Sequence, residues 1–333
     1  MHSLNPDTVR FFSGQSHPSL ATDIASYLDL PLEHTVFQRF RNDNMFIQLG
    51  ASVRGRIVFI VQTLSPPVSD HLIELLMMLD IARGAGAAEI HAVIPYYSYA
   101  RSDKKDAPRI SITARLVADL LLTAGATHIM TMTLHSPQVH GFFNVPTDPL
   151  TARHLFVRYI KDQNLNLQNS VVVSPDVGRT KPAARFAEML NLPVVVAQKE
   201  RLADTRVVIE QSIKKQVKGY RHVLIMDDEI ATGASILELS KVLIEFGVKD
   251  ITVICTHGVF AGDALQKLDR IPQITQVITT DTVPIPLEKQ ILKLTILSVA
   301  PVFGEAIWKN LHHESIGDLF SYGEYEADPM EDN

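Results

Sequence analysis

His222-Val-Leu-Ile-Met-Asp-Asp-Glu-Ile-Ala-Thr-Gly-Ala-Ser235 places an apolar strand, two adjacent carboxylates and a small-residue turn in direct succession. Val223-Leu-Ile-Met226 reads as a central strand of a parallel sheet. Ile236-Leu-Glu-Leu-Ser-Lys-Val-Leu-Ile-Glu-Phe246 then has helical apolar spacing, with Gly247 as its stop. The turn Ala231-Thr-Gly-Ala-Ser235 therefore stands at a helix N-terminus, where unpaired amides and the helix dipole favour a phosphate. The hydroxyls of Thr232 and Ser235 add donors, and Asp227 and Asp228 can accept from the hydroxyls of an attached sugar. A lone Asp-Asp pair would be an ordinary strand end. The whole order of strand, acids, spacer and cradle points to a sugar phosphate.

Outward from this stretch, apolar strand-like runs alternate with amphipathic helical windows, the pattern of parallel α/β sheets. Strands are predicted at residues 57–62, 89–96 and 128–134, with helices at 69–84 and 111–124. A second series of strands is predicted at 170–174, 193–197, 223–226, 251–256, 277–280 and 294–299. Pro146 and Pro149 interrupt the pattern, so the expected division is residues 1–147, 148–322 and an acidic tail at 323–333. The two halves read as one topology used twice, without a residue-level repeat.

The chain has 333 residues, enough for two domains, and 46% of them are hydrophobic, enough to pack both. A net charge of −6 argues against nucleic acid or an anionic membrane as partner. Cys255 is the single cysteine, which excludes an internal disulfide, and its apolar run Ile251-Thr-Val-Ile-Cys255 reads as a buried, inert thiol. No leader-like pattern opens the chain and no apolar run approaches the roughly 18 residues of a membrane span, so a cytoplasmic protein is expected.

Several short polar segments follow strand ends, where open α/β sheets bind ligands. Tyr99-Ala-Arg-Ser-Asp-Lys-Lys105 delivers Arg101, Lys104 and Lys105 to such an edge, although a solvated basic turn reads equally well for the two lysines. Asp176 ends Val171-Val-Val-Ser-Pro-Asp176 and leads into Val177-Gly-Arg-Thr-Lys181, another turn whose amides, Arg179 and Lys181 suit phosphate oxygens. Lys199 and Arg201 open the polar segment 199–205; from spacing alone this is a solvated charged loop. His135 closes Ile129-Met-Thr-Met-Thr-Leu-His135, and read alone it is a structural histidine held by Asp148 or by water.

Taken together these segments resemble the ribose-phosphate pyrophosphokinases. The turn after Asp227-Asp228 is similar to the phosphoribosyl diphosphate (PRPP) signature that this family shares with phosphoribosyltransferases. The resemblance runs nearly end to end through Phe12-Ser-Gly-Gln-Ser-His-Pro18, Ser69-Asp-His-Leu-Ile-Glu-Leu75, Ile94-Pro-Tyr-Tyr-Ser-Tyr-Ala-Arg-Ser-Asp-Lys-Lys105, Leu134-His135, Ser174-Pro-Asp-Val-Gly178, Lys199-Glu-Arg201 and Thr256-His-Gly-Val-Phe260. It implies two domains of phosphoribosyltransferase-like parallel sheet flanked by helices. It also implies Mg²⁺-dependent transfer of pyrophosphate from ATP to ribose 5-phosphate in a homo-oligomer, a dimer or a hexamer built of dimers.

By the same resemblance Lys199 and Arg201 belong to a mobile catalytic loop. Asp227, Asp228, Ala231, Thr232, Gly233, Ala234 and Ser235 hold ribose 5-phosphate. Asp176, Val177, Gly178, Arg179 and Thr180 form a pyrophosphate loop, and Phe40, Asn42, Asn44, Arg101, Ser102, Asp103, Lys104 and Asp106 hold ATP. His135 and Asp176 are the implied metal ligands. Two cations that arrive only on loop closure would stabilise the charge of the transferring group in the transition state more than in the ground state.

The chain also departs from the family. Asn42 and Asn44 stand where two acids are usual, Arg179 where a small residue is usual, and Ala231 and Ala234 where an acid and a glycine are usual. Thr133 replaces an Asp, and Glu314-Ser-Ile-Gly-Asp-Leu-Phe320 matches only part of a regulatory segment. Two other readings follow: a catalytically silent regulatory homologue, and a related transferase acting on another ribose-phosphate acceptor. Retention of Lys199, Arg201, His135 and Asp176 favours the active pyrophosphokinase.

Overall fold

The structure, a computed structural model, describes Leu4 and residues 7–163, 167–176, 178, 180–197 and 216–320. The chain forms two compact units, one running to Thr151 and resuming at Val299, the other spanning Ala152–Ser298.

The first unit begins with β1 (Val9–Ser13), α1 (Pro18–Tyr27) and β2 (Leu32–Glu33), followed by a hairpin of β3 (Thr35–Arg39) and β4 (Met45–Leu49). It continues through β5 (Ile57–Val61), α2 (Val68–Gly84), β6 (Glu89–Ile94), α3 (Thr113–Ala124), β7 (His128–Met132) and β8 (Thr147–Leu150). The six-stranded sheet has the order β2-β1-β5-β6-β7-β8 and is parallel at every pairing. Ile57-Val-Phe-Ile-Val61 is apolar throughout because helices cover both faces, and Val58 to Val61 are all buried. Val58, Ile60, Ile90, Ala92 and Ile129 pack with Leu75, Leu79, Val117 and Leu121 of α2 and α3.

Sequence periodicity misses β1, β2, the hairpin and β8. Short strands of mixed composition carry little pattern, and β8 contains Pro149. An edge strand tolerates that proline because one of its sides needs no ladder donor; β8 forms its ladder with β7, aligning Met130 with Asp148, and on its other side has only an isolated bridge from Leu150 to Phe320. The prolines at 146 and 149 therefore flank and enter a strand of the first sheet.

The second unit contains α4 (Arg153–Asp162), β9 (Ser170–Ser174), α5 (Thr180–Met189), β10 (Val194–Val196), β11 (His222–Ile230), α6 (Ala234–Glu245), β12 (Asp250–Gly258), α7 (Ala264–Asp269), β13 (Ile274–Thr280) and β14 (Leu294–Leu297). Its sheet, β10-β9-β11-β12-β13-β14, is again parallel throughout. After β14 the chain returns to the first unit. There α8 (Ala300–Leu311) packs on α1, with the Tyr27 hydroxyl donating to Glu305 at 3.0 Å. The Thr151 N–H donates to the Leu319 carbonyl at 2.9 Å, so residues beyond 299 continue the first unit, whereas the sequence alone assigned them to the second.

Both sheets are wound the same way. From β1 the chain steps to β2 on one side and later to β5 on the other; from β9 it steps to β10 and then to β11. Right-handed crossovers place the helices of the two directions on opposite faces. The carboxyl ends at β1/β5 and at β9/β11 are therefore topological switch points, where open α/β sheets take ligands.

Candidate active site

In the second unit three loops leave the adjacent carboxyl ends of β10, β9 and β11. After β9 the Ser174 hydroxyl donates to the Asp176 carbonyl at 2.9 Å, and the Gly178 N–H donates to Asp176 Oδ1 at 3.1 Å. These bonds hold the exposed Asp176 carboxylate at the turn into α5, which starts at Thr180. Val177 and Arg179 lie outside the described residues. After β10 the Ala197 N–H donates to the Ser174 carbonyl at 2.9 Å; Lys199 and Arg201, a few residues on, also lie outside the described residues.

β11 extends further than its apolar run suggests. The predicted strand stops at Met226, yet β12 keeps pairing beyond it, Glu229 with His257 and Ile230 with Gly258. Asp227, Asp228 and Glu229 thus lie within the strand, where successive side chains leave on opposite faces. Asp227 is half-buried, with Oδ1 accepting from the Asp228 N–H at 2.9 Å, while Asp228 and Glu229 are buried. Asp227 and Glu229 share a face with the in-register residues Cys255 and His257. Glu229 is a further candidate at this strand end that sequence reasoning passed over; the signal was a third consecutive acid ahead of the turn. Its cross-strand neighbour His257 is buried, with Nδ1 2.9 Å from the Thr282 hydroxyl. Burial pushes the Cys255 thiol well above its ordinary range, which leaves it unreactive, as its apolar setting implied.

The turn after β11 is anchored from the segment following β12: the Phe260 N–H donates to the Ile230 carbonyl at 3.0 Å and the Ala261 N–H to the Ala231 carbonyl at 2.8 Å. Gly233 has φ of 74° and caps α6. A Cβ there would have its closest neighbour at 3.8 Å, so left-handed backbone and not lack of space calls for glycine. The first helical bond runs from the Leu237 N–H to the Gly233 carbonyl at 2.9 Å, and the amides before it lie outside the helical ladder. Thr232, Ala234 and Ser235 are exposed around this N-terminus, with Ala231 half-buried at its entrance.

In the first unit the segment after β6 passes through a short 3₁₀ turn, Ser98–Arg101. Its base is fixed by the Tyr97 hydroxyl donating to the Ala114 carbonyl at 2.8 Å and the Ala114 N–H donating to the Ser102 carbonyl at 3.2 Å. Arg101, Lys104 and Asp106 are exposed on it, with Ser102 and Asp103 half-buried. His135 follows β7 and is half-buried. Asp148 does not hold it. Asp148 is aligned with Met130 inside β7 and bonds His128 at 2.6 Å, whereas His135 lies past the carboxyl end of that strand. Phe40, Asn42 and Asn44 form the exposed tip of the β3–β4 hairpin, which closes with the Phe40 N–H donating to the Asn44 carbonyl at 2.8 Å. Arg39 ties the hairpin to α2 through Asp70 at 2.9 Å.

The sequence pattern of the N-terminal domain of ribose phosphate pyrophosphokinase matches residues 9–125, and that of the phosphoribosyl synthetase-associated domain matches residues 211–321. A putative ribose-phosphate pyrophosphokinase of Streptomyces coelicolor is 49% identical over 94% of this chain and 97% of its own length. The ribose-phosphate pyrophosphokinase of Deinococcus radiodurans is 46% identical over 93% and 97%. The crystal structure of phosphoribosylpyrophosphate synthetase from Mycobacterium smegmatis superposes with a TM-score of 0.83 at 35% identity, covering 92% of this chain and 99% of that one.

Proposed function

The chain belongs to the ribose-phosphate pyrophosphokinase family, and from that premise we propose that it transfers the terminal pyrophosphoryl group of ATP to the 1-hydroxyl of ribose 5-phosphate, giving PRPP and AMP. The observation that carries this reading is the strand, acid and turn arrangement of residues 227–235, with Gly233 opening α6 beside the Asp176 turn at the second unit's switch point. The 5-phosphate rests on the amides at the start of α6 with the hydroxyls of Thr232 and Ser235, and Asp227 accepts from the ribose hydroxyls. The turn of Asp176, Gly178 and Thr180 takes the pyrophosphate, and Arg101, Ser102, Asp103, Lys104 and Asp106 take the nucleotide.

In the reaction the sugar 1-oxygen bonds to the β-phosphorus, the bond from that phosphorus to the α–β bridging oxygen breaks, AMP leaves, and the hydroxyl proton is lost. No dedicated general base is assigned. Positioning and neutralisation of charge on the transferring group carry the rate, with Lys199 and Arg201 as the cations of a closing loop. Closure keeps water from competing with the sugar hydroxyl.

The donor chemistry suits magnesium, which takes one or two carboxylates together with substrate phosphates and keeps several waters. The exposed carboxylate of Asp176 is the oxygen donor that would hold it; His135, a less usual ligand for this ion, is assigned by likeness to the family alone. When bound, the ion neutralises phosphate charge. Exposed Val36, Phe40 and Phe46 on the hairpin support self-association, in keeping with a homo-oligomer in which Phe40, Asn42 and Asn44 serve a neighbouring subunit's nucleotide. No helix among the described residues is long and apolar enough to cross a membrane, and we assign the enzyme to the cytoplasm. A coupled assay for AMP and PRPP from ATP, ribose 5-phosphate and Mg²⁺ tests the proposal; absence of PRPP with intact ligand binding would overturn it.

A further inference from the structure

The two switch points have the same topology but opposite contents. In the second unit, the turns after β9 and β11 surround exposed Asp176, Thr232 and Ser235. In the first unit, the corresponding turns after β1 and β5 are drawn together by their own side chains. The Gln15 N–H, in the turn leading to α1, donates to Glu74 Oε1 at 2.5 Å. The next amide, Ser16 N–H, donates to Gln62 Oε1 at 3.1 Å, and the Ser16 hydroxyl donates to the same oxygen at 2.6 Å. Gln62 in turn donates to Glu74 Oε1 at 2.8 Å and to the His71 carbonyl at 3.1 Å, and the Thr63 N–H donates to the Ser16 hydroxyl at 2.9 Å.

Glu74, Gln62, Ser16 and Thr63 are all buried, Glu74 at 2% exposure. A carboxylic acid on the otherwise apolar inward face of α2 is expensive unless its oxygens are satisfied. The crevice is also full: a Cβ on Gly14 would stand 2.3 Å from Gln62 Oε1 and 2.7 Å from Glu74 Oε1. Glycine is therefore required at position 14 for close approach.

Two successive amides ahead of a helix, at a switch point, are the donors that an oxyanion ligand would use. Here both already have acceptors from within the unit. We propose that the carboxyl group of Glu74 is a built-in substitute for a ligand oxyanion, closing the first unit's switch point.

Removing the carboxyl group converts the plug into a site for a small carboxylate. Full-length Glu74→Ala is expected to melt about 5 °C below the native chain, the scale for an unmet buried hydrogen-bonding group in a protein of this size. Formate at tens of millimolar should restore most of that loss, while sodium chloride at equal ionic strength should not, and the native chain should show no formate-dependent gain. Equal recovery in chloride, or none in formate, overturns the proposal. If Glu74→Ala does not fold, hydrogen exchange on Glu74→Met, which keeps the bulk and removes the acceptor, decides: the Gln15 amide is expected to exchange about tenfold faster than in the native chain, and unchanged protection overturns it. Both readouts are independent of PRPP synthesis, so failure of the plug and failure of the assigned activity remain distinguishable.

Discussion

His128 Nε2 lies 2.6 Å from Asp148 Oδ2, between β7 and the edge strand β8, and the His128 ring stacks on that of His91 with centroids 4.8 Å apart and an interplanar angle of 18°. His91 completes the row: its ring contacts that of Phe59 at 4.4 Å and its Nε2 is 3.0 Å from Glu89 Oε2. The sheet thus carries a line of titratable groups across β6, β7 and β8.

The row makes the first unit sensitive to acid. Burial first, and the neighbouring His128 second, push the His91 imidazole down to about 4. Unfolded His91 takes its proton near the ordinary histidine value, so between the two values the native state binds fewer protons than the unfolded one. The stability that His91 contributes is fully present above about pH 6.5 and is lost as pH falls towards 4. Across that window the loss is on the order of 2–3 kcal/mol. His91→Phe is expected to flatten the dependence, measured as denaturant midpoints from pH 7 to 4.5; parallel curves for the two proteins would contradict the assignment.

Asp227 and Asp228 should separate into different roles. Asp227 is half-buried on the face it shares with Cys255, whereas Asp228 is buried on the opposite face. Asp227→Asn is expected to weaken ribose 5-phosphate binding roughly 10- to 100-fold by calorimetry, the loss of a charged acceptor, without lowering Tm. Asp228→Asn is expected to lower Tm as well, because an amide then replaces a buried carboxylate. Native affinity in both variants would remove the acids from sugar recognition.

Lys199→Ala and Arg201→Ala are each expected to lower kcat about a hundredfold or more while changing the ribose 5-phosphate dissociation constant little. The expectation follows from the proposed role of Lys199 and Arg201 as cations of a closing loop. Turnover unchanged in both variants would sink the loop assignment.

Nucleotide choice should be looser than strict ATP use. Asn42 and Asn44 are exposed at the hairpin tip, and an amide offers a donor or an acceptor to a base edge where a carboxylate offers only acceptors. Discrimination against GTP and CTP is expected to be weaker by on the order of 1–2 kcal/mol for one altered partner. Comparing kcat/KM for the three nucleotides in the native enzyme and in Asn42→Asp with Asn44→Glu measures it. Strong native rejection of GTP and CTP that the double variant leaves unchanged would show that the tip does not set nucleotide choice.

Local sequence was sufficient for what depends on short-range pattern. Parallel strands covered on both faces must be continuously apolar, so β5, β6, β9, β11 and β12 could be located. Gly233 and Gly247 punctuated α6 because only glycine takes their backbone angles cheaply, at φ of 74° and 93°. The turn into a helix N-terminus after Asp227 and Asp228 was likewise readable, since small residues and a glycine of positive φ are a local signal. Tertiary structure decided what depends on partners distant in sequence. Ladder pairing with β12 carried β11 through Glu229 and so buried Asp228; strand alignment gave Asp148 to His128 and not to His135. The return of α8 to α1 and the meeting of Gln15, Gln62 and Glu74 were equally invisible along the chain. Side chains dozens or hundreds of residues apart become neighbours only through strand order, and no local periodicity records that order.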